Sequence, residues 1–124
     1  MIEICKLNCE TVFEHVKPVQ GKVKPKMRIA RYNVNTHSDR LLCFKRNTKC
    51  VSCGVEGTIF HLECHETGSN TRQPHLNLYG IDDNGNEVLM TKDHIMPKSK
   101  GGKNHLSNYQ TMCSRCNQKK GDKV

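Results

Sequence analysis

The chain has 124 residues, 35% of them hydrophobic, with no Trp, three Tyr and three Phe, enough for one small core rather than two. With 26% charged residues and no apolar run of bilayer or signal-peptide length, the expectation is a soluble intracellular protein with no membrane partner. A net charge of +8 and a pI of about 9.2 point instead to a polyanion.

The charge is concentrated. Lys17 to Lys49 holds ten Lys or Arg against one acid, Asp39, for a net +9, while residues 1–16 carry −2 and residues 50–124 carry +1. Eight cysteines in a chain with no secretory signature read as reduced thiols held by metal rather than as disulfides, so zinc is the first cofactor expected. Binding at such a site is also folding free energy, which a small core needs.

In chain order, residues 1–16 show neither period 2 nor period 3.6 and predict one short element. Cys5 and Cys9, four apart, could share a helix face as ordinary thiols. Lys17 to Lys26, with Pro18, Gly21 and Pro25 among lysines, reads as a basic arm or linker. Ser38 offers an N-cap to a short helix that buries Leu41, Leu42 and Phe44 and runs to about Arg46.

A strand is expected around Thr58 to Leu62, then loop through Gly68, Ser69, Asn70 and Pro74. His75 to Ile81 and Glu87 to Met90 are strand-like and flank Asn84-Gly85, a hairpin-turn dipeptide. A strand should end near Asp93-His94, the Pro97 to Gly102 segment cannot continue it, and Asn108 to Met112 should return as its partner. Ser114 to Lys120 then makes a short helix stopped by Gly121.

Two C-x-x-C pairs, Cys50 with Cys53 and Cys113 with Cys116, supply the four thiolates of a closed tetrahedral shell. Such a shell leaves no open position for substrate and is therefore a structural zinc knuckle. His61, Cys64 and His65 form a second small cluster, H-x-x-C-H. With four sulfurs already closing the shell, Cys64 is expected to be partly buried and the histidines to be polar surface groups.

The stretch between the pairs and its flank read D-H-I-x-P-x-S-x-G-G at Asp93 to Gly102, L-S-N-x-Q at Leu106 to Gln110, and C-x-x-C-N-x-x-K-G at Cys113 to Gly121. These residues resemble the His-Asn-His (HNH) endonuclease family, with its ββα-metal finger. The signature positions are His94, Asn108 and Asn117, and the resemblance is firm over about residues 91–121. It implies an α+β fold: a small single domain built on a zinc-stapled ββα-metal finger with a basic N-terminal extension. The expected division is an extension over 1–49, with no independent domain of its own, and a nuclease domain over 50–124. Small chains of this family look like those of bacteriophages and bacteria.

The residue types suit phosphodiester hydrolysis independently of any family. The reaction needs a cation on the phosphate oxygens and a base for water. Asp93 and Asn117 are hard oxygen donors for Mg²⁺ or Mn²⁺, and a histidine such as His94 ordinarily titrates near neutrality, as a base at pH 7 requires. The resemblance implies His94 as the base, Asp93 and Asn117 as ligands of one catalytic ion, and Asn108 as the residue that fixes the loop and helps orient His94. Strict alternation would send Asp93 and His94 to opposite sides of their strand. His105 is expected to be a solvated loop residue or a phosphate contact.

Lys98, Lys100, Lys103, Arg115, Lys119 and Lys120 surround this centre, and Arg28, Arg31, Arg40 and Arg46 can grip phosphates bidentately. The partner expected is DNA, double-stranded, with monomer and homodimer both open. The rival expectation is a zinc-stapled DNA-binding module without chemistry. An RNA-directed nuclease is weaker, because few aromatics beyond Tyr32 and Phe44 could stack on bases.

Overall fold

The computed structural model of the protein describes residues 2–65 and 73–124. The loop expected at Gly68, Ser69 and Asn70 lies outside them. The elements are β1 (Ile2–Asn8), α1 (Cys9–Phe13), β2 (Lys26–Ile29), β3 (Tyr32–Asn35), α2 (Asp39–Arg46), β4 (Gly57–Cys64), β5 (His75–Ile81), β6 (Glu87–His94), β7 (Tyr109–Cys113) and α3 (Ser114–Lys120). No helix among them is long and apolar enough to cross a membrane. The fold is a small α+β domain with a mostly antiparallel sheet.

Five strands form one sheet in the order β1-β4-β5-β6-β7, every pairing antiparallel, and β2 and β3 form a separate ribbon. Alternation explains the core. Leu76 and Leu78 of β5, Val88 and Met90 of β6, and Phe60 and Leu62 of β4 are buried and pack in one cluster with Val12, Val16, Leu41 and Phe44. Each such side chain contributes about 1.5–3 kcal/mol on burial. Met27, Ile29 and Val34 of the ribbon join the same cluster, so no break in the core separates residues 2–49 from the remainder.

Local chemistry sets the ends. Ser38 accepts the Leu41 N–H at 3.2 Å to start α2, as its sequence predicts. Asp82 Oδ1 accepts from the backbone of Asn84 (2.9 Å) and Asn86 (2.8 Å), closing the β5–β6 turn around Gly85 at φ +80°. Asn8 ends β1 and caps α1 by accepting from Thr11 N. Cys5 and Cys9 therefore lie on a strand and a helix rather than on one helix face.

Two further expectations change. The basic segment runs directly into the β2–β3 ribbon, whose two strands of four residues meet at Ala30 and Arg31 without the Gly or Asn that usually announces such a turn. His61 is buried, only 4% exposed, and not a surface group. It lies against Tyr79 at 4.3 Å, with Glu3 3.2 Å from Nδ1 and Glu87 3.5 Å from Nε2. Cys64 is likewise buried and His65 exposed.

Candidate functional site

The four cysteines of the two pairs come together from sequence positions sixty residues apart. Their sulfurs all lie within 4.8 Å of one another, and Cys53 and Cys113 are 3.8 Å apart. A tetrahedral zinc with Zn–S of about 2.3 Å has S···S edges of about 3.8 Å, so the cluster can hold that ion.

The backbone shapes this cradle. Gly54 N donates to Cys50 O at 3.0 Å and Cys50 N to Val55 O at 2.9 Å, folding the first pair into a tight turn with Gly54 at φ +81°. Cys113 ends β7 and accepts the Cys116 N–H at 3.4 Å as the N-cap of α3. Val51 N donates to Thr111 O at 3.0 Å and joins the two halves. Burial acts to raise the Cys50 thiol, but backbone hydrogen bonding from Cys113, Cys53 and Ser52 brings it down to about 6, whereas burial and the hydrogen bond with Cys113 push Cys116 up to about 12. The cluster thus favours the thiolate a metal requires at Cys50 and the thiol at Cys116.

Strand β6, the returning β7 and helix α3 place the second set of residues. The pairing Asp93↔Gln110 and His94↔Tyr109 puts Asp93 and His94 at the tip of β6, where α3 crosses. Asp93 is buried, 6% exposed. Its carboxylate accepts from Gln110 Nε2 at 2.9 Å and pairs with Lys120 Nζ at 3.2 Å. Lys120 also donates to the His94 carbonyl at 2.9 Å. Asn117 donates its amide to Thr91 Oγ1 at 2.9 Å, a bond that does not use its carbonyl oxygen.

The His94 ring goes the other way, as alternation requires. It meets Tyr109 edge-on at 4.9 Å, and its Nε2 lies 2.9 Å from Asn104 Oδ1. An oxygen acceptor facing Nε2 favours the tautomer that leaves Nδ1 as the lone-pair nitrogen. Asp93, His94 and Asn117 nevertheless line one open cleft of about 330 Å³, together with Lys92, Lys98 and Lys120.

The 95–108 loop is held by Asn108. Its Nδ2 donates to the carbonyls of Met96 and Lys103, both at 3.0 Å, and its Oδ1 accepts from Met96 N at 2.9 Å. The contact on the His94 ring comes from Asn104 rather than Asn108. The Gly-Gly pair has two separate causes. Gly101 sits at φ +89°, and a β-carbon on Gly102 would stand 1.7 Å from the Met96 carbonyl oxygen. His105 is engaged locally, its Nδ1 2.7 Å from Ser107 Oγ.

The basic residues divide by what they touch. Lys98 is exposed at the cleft, whereas Lys100, Lys103 and Lys119 are exposed but do not line it, and Arg28 is exposed on β2. Arg31 folds back on Tyr32, 5.2 Å from its ring, and donates to its hydroxyl. Arg40 donates to Leu76 O at 2.5 Å, and its burial pushes its pKa down. Arg46 holds the carbonyls of Leu106 and Tyr109, Arg115 pairs with Asp82 at 2.9 Å, and Lys120 is the partner of Asp93. Sequence reasoning gave no role to Gln110, Asn104 or Thr91. Only Gln110 left a signal, as the last letter of N-x-Q.

Strand, loop, strand and helix surround a polar cleft beside the four-cysteine cluster. The family model described as HNH endonuclease matches residues 82–124, the segment from the β5–β6 turn through α3, and that segment is similar to this family. No curated protein and no solved structure matches the chain.

Proposed function

We propose that this protein is a metal-dependent endonuclease that hydrolyses DNA phosphodiester bonds, with the chemistry in residues 50–124, DNA contacts extending into residues 1–49, and its place of action the cytoplasm. The observation that carries the reading is that Asp93, His94 and Asn117 all line one cleft, together with Lys92, Lys98 and Lys120. A buried carboxylate beside an amide oxygen is a hard donor set that fits Mg²⁺ or Mn²⁺. Such an ion, when bound, supplies positive charge to the nonbridging and leaving oxygens of the phosphate.

The chain's own groups do the rest. His94 Nδ1 takes a proton from water, whose oxygen forms the new bond to phosphorus as the bond to the leaving oxygen breaks. Asn104 keeps the ring in the tautomer that leaves Nδ1 basic. Lys98 and its neighbours neutralise backbone phosphates, and the four-cysteine zinc is scaffold only.

The test is conversion of supercoiled plasmid by purified protein with Mg²⁺, with EDTA, and with His94→Ala. Expected is nicking that requires the ion and falls about 10²- to 10⁴-fold in the variant, with zinc content and circular dichroism unchanged. Undiminished cleavage by His94→Ala would remove His94 from the mechanism. A plasmid shifted in mobility but never cut would make the protein a zinc-stapled DNA-binding module.

A further inference from the structure

The β2–β3 ribbon has no part in the cleft, yet its chemistry is that of a reader. Its inward side chains, Met27, Ile29 and Val34, are anchored in the core, which forces Lys26, Arg28, Asn33 and Asn35 onto the exposed face. The register sets Arg28 directly opposite Asn33 and Lys26 opposite Asn35. Asn35 is occupied, its Oδ1 accepting from His37 N at 2.7 Å. Among the described residues the side chains of Arg28 and Asn33 make no hydrogen bond or ion pair. From Lys17 to Ser38 there are six Lys or Arg and no acidic residue.

We infer that this ribbon enters the major groove of duplex DNA and that Arg28 and Asn33 read base edges there, giving the nuclease a sequence preference. The inference rests on the proposed nuclease reading for its substrate. A two-stranded ribbon fits the major groove, where Arg pairs bidentately with the N7 and O6 of guanine and Asn with the N7 and N6 of adenine. As a cross-strand pair, Arg28 and Asn33 have β-carbons about 4.5–5.5 Å apart, which places their side chains over neighbouring base pairs stacked about 3.4 Å apart. Lys22, Lys24 and Lys26, as point charges, serve phosphates and carry no base information. The deep, narrow major groove of an RNA duplex would not admit the ribbon.

The test uses the full-length zinc-loaded chain, Mg²⁺ replaced by Ca²⁺, and a library of duplex DNA with randomised base pairs, bound fragments being sequenced. Expected is a base preference that Arg28→Ala and Asn33→Ala each erase at one position, a loss of about 5- to 150-fold discrimination. Lys22→Ala with Lys24→Ala should weaken all sequences alike and flatten the salt dependence by about one unit per lysine. Zinc content and melting curves confirm that every variant folds. No preference in the parent protein, or identical preferences in Arg28→Ala and Asn33→Ala, overturns the inference. The plasmid assay separates the two proposals. Cutting without preference removes the reader and keeps the nuclease, whereas a ribbon-dependent preference without cutting does the reverse. Loss of both duplex binding and cutting rejects both, as does equal competition by an RNA duplex for the reader.

Discussion

On the proposed mechanism, part of the chemistry rests on Asn104, a residue that no motif names. Its Oδ1 lies 2.9 Å from His94 Nε2, a contact that orients the ring and favours the proton on Nε2. Asn104→Ala is expected to lower kcat about 10- to 100-fold, because a base misplaced by an ångström loses that much, with KM little changed. Asn104→Asp, which keeps an oxygen in place, should recover part of the loss. Equal kcat in parent and alanine variants would assign the bond to loop packing alone. Lys120 is the opposite case: its place in the motif suggests a phosphate contact, while its ammonium balances the buried Asp93 carboxylate. A lone buried carboxylate is costly without such a partner.

At the scale of elements, the 95–108 loop is rigid for reasons that can be counted. Three bonds from the Asn108 side chain span it, and the Gly102 backbone passes against Met96 with no room for a methyl group. Gly102→Ala therefore has to move backbone, not a side chain. It should cost about 1–3 kcal/mol of stability, the range of overpacking, and should displace His94 and Asn104 relative to Asp93. A lowered melting temperature together with strongly reduced nicking is the expected result. An unchanged melt would show that the loop accommodates the methyl group.

For the whole molecule, the four-cysteine cluster, which could hold zinc, joins the turn at Cys50 to the start of α3, and Cys50 and Cys113 are themselves part of the buried core. Structural zinc contributes roughly 10–16 kcal/mol in small metal-binding peptides, comparable to or above the total stability of a domain of this size. Stripping the metal with a strong chelator should abolish the cooperative thermal transition, and one equivalent of Zn²⁺ should restore it. The check is circular dichroism alongside zinc released per chain. A metal-free chain that melts at the original temperature would show that the sheet carries the fold alone.

Helices α2 and α3, the β5–β6 hairpin and the cysteine pairs were legible from local sequence because each is specified locally. Ser38 caps its own helix, Asn84-Gly85 turns its own hairpin, Gly121 stops α3, and the paired cysteines announce one another by spacing. The ribbon was not legible: two four-residue strands around Ala30 and Arg31 bury three side chains only because the core of the sheet is there to receive them. Nor could any local pattern put the His61 imidazole between carboxylates from β1 and β6, since Glu3 and Glu87 reach it only through the strand order. Residue types and spacings determined which chemistry the chain could carry. The tertiary structure decided which side chains face the cleft and which are held inside, because neighbours across a sheet are set by register and burial rather than by distance along the chain.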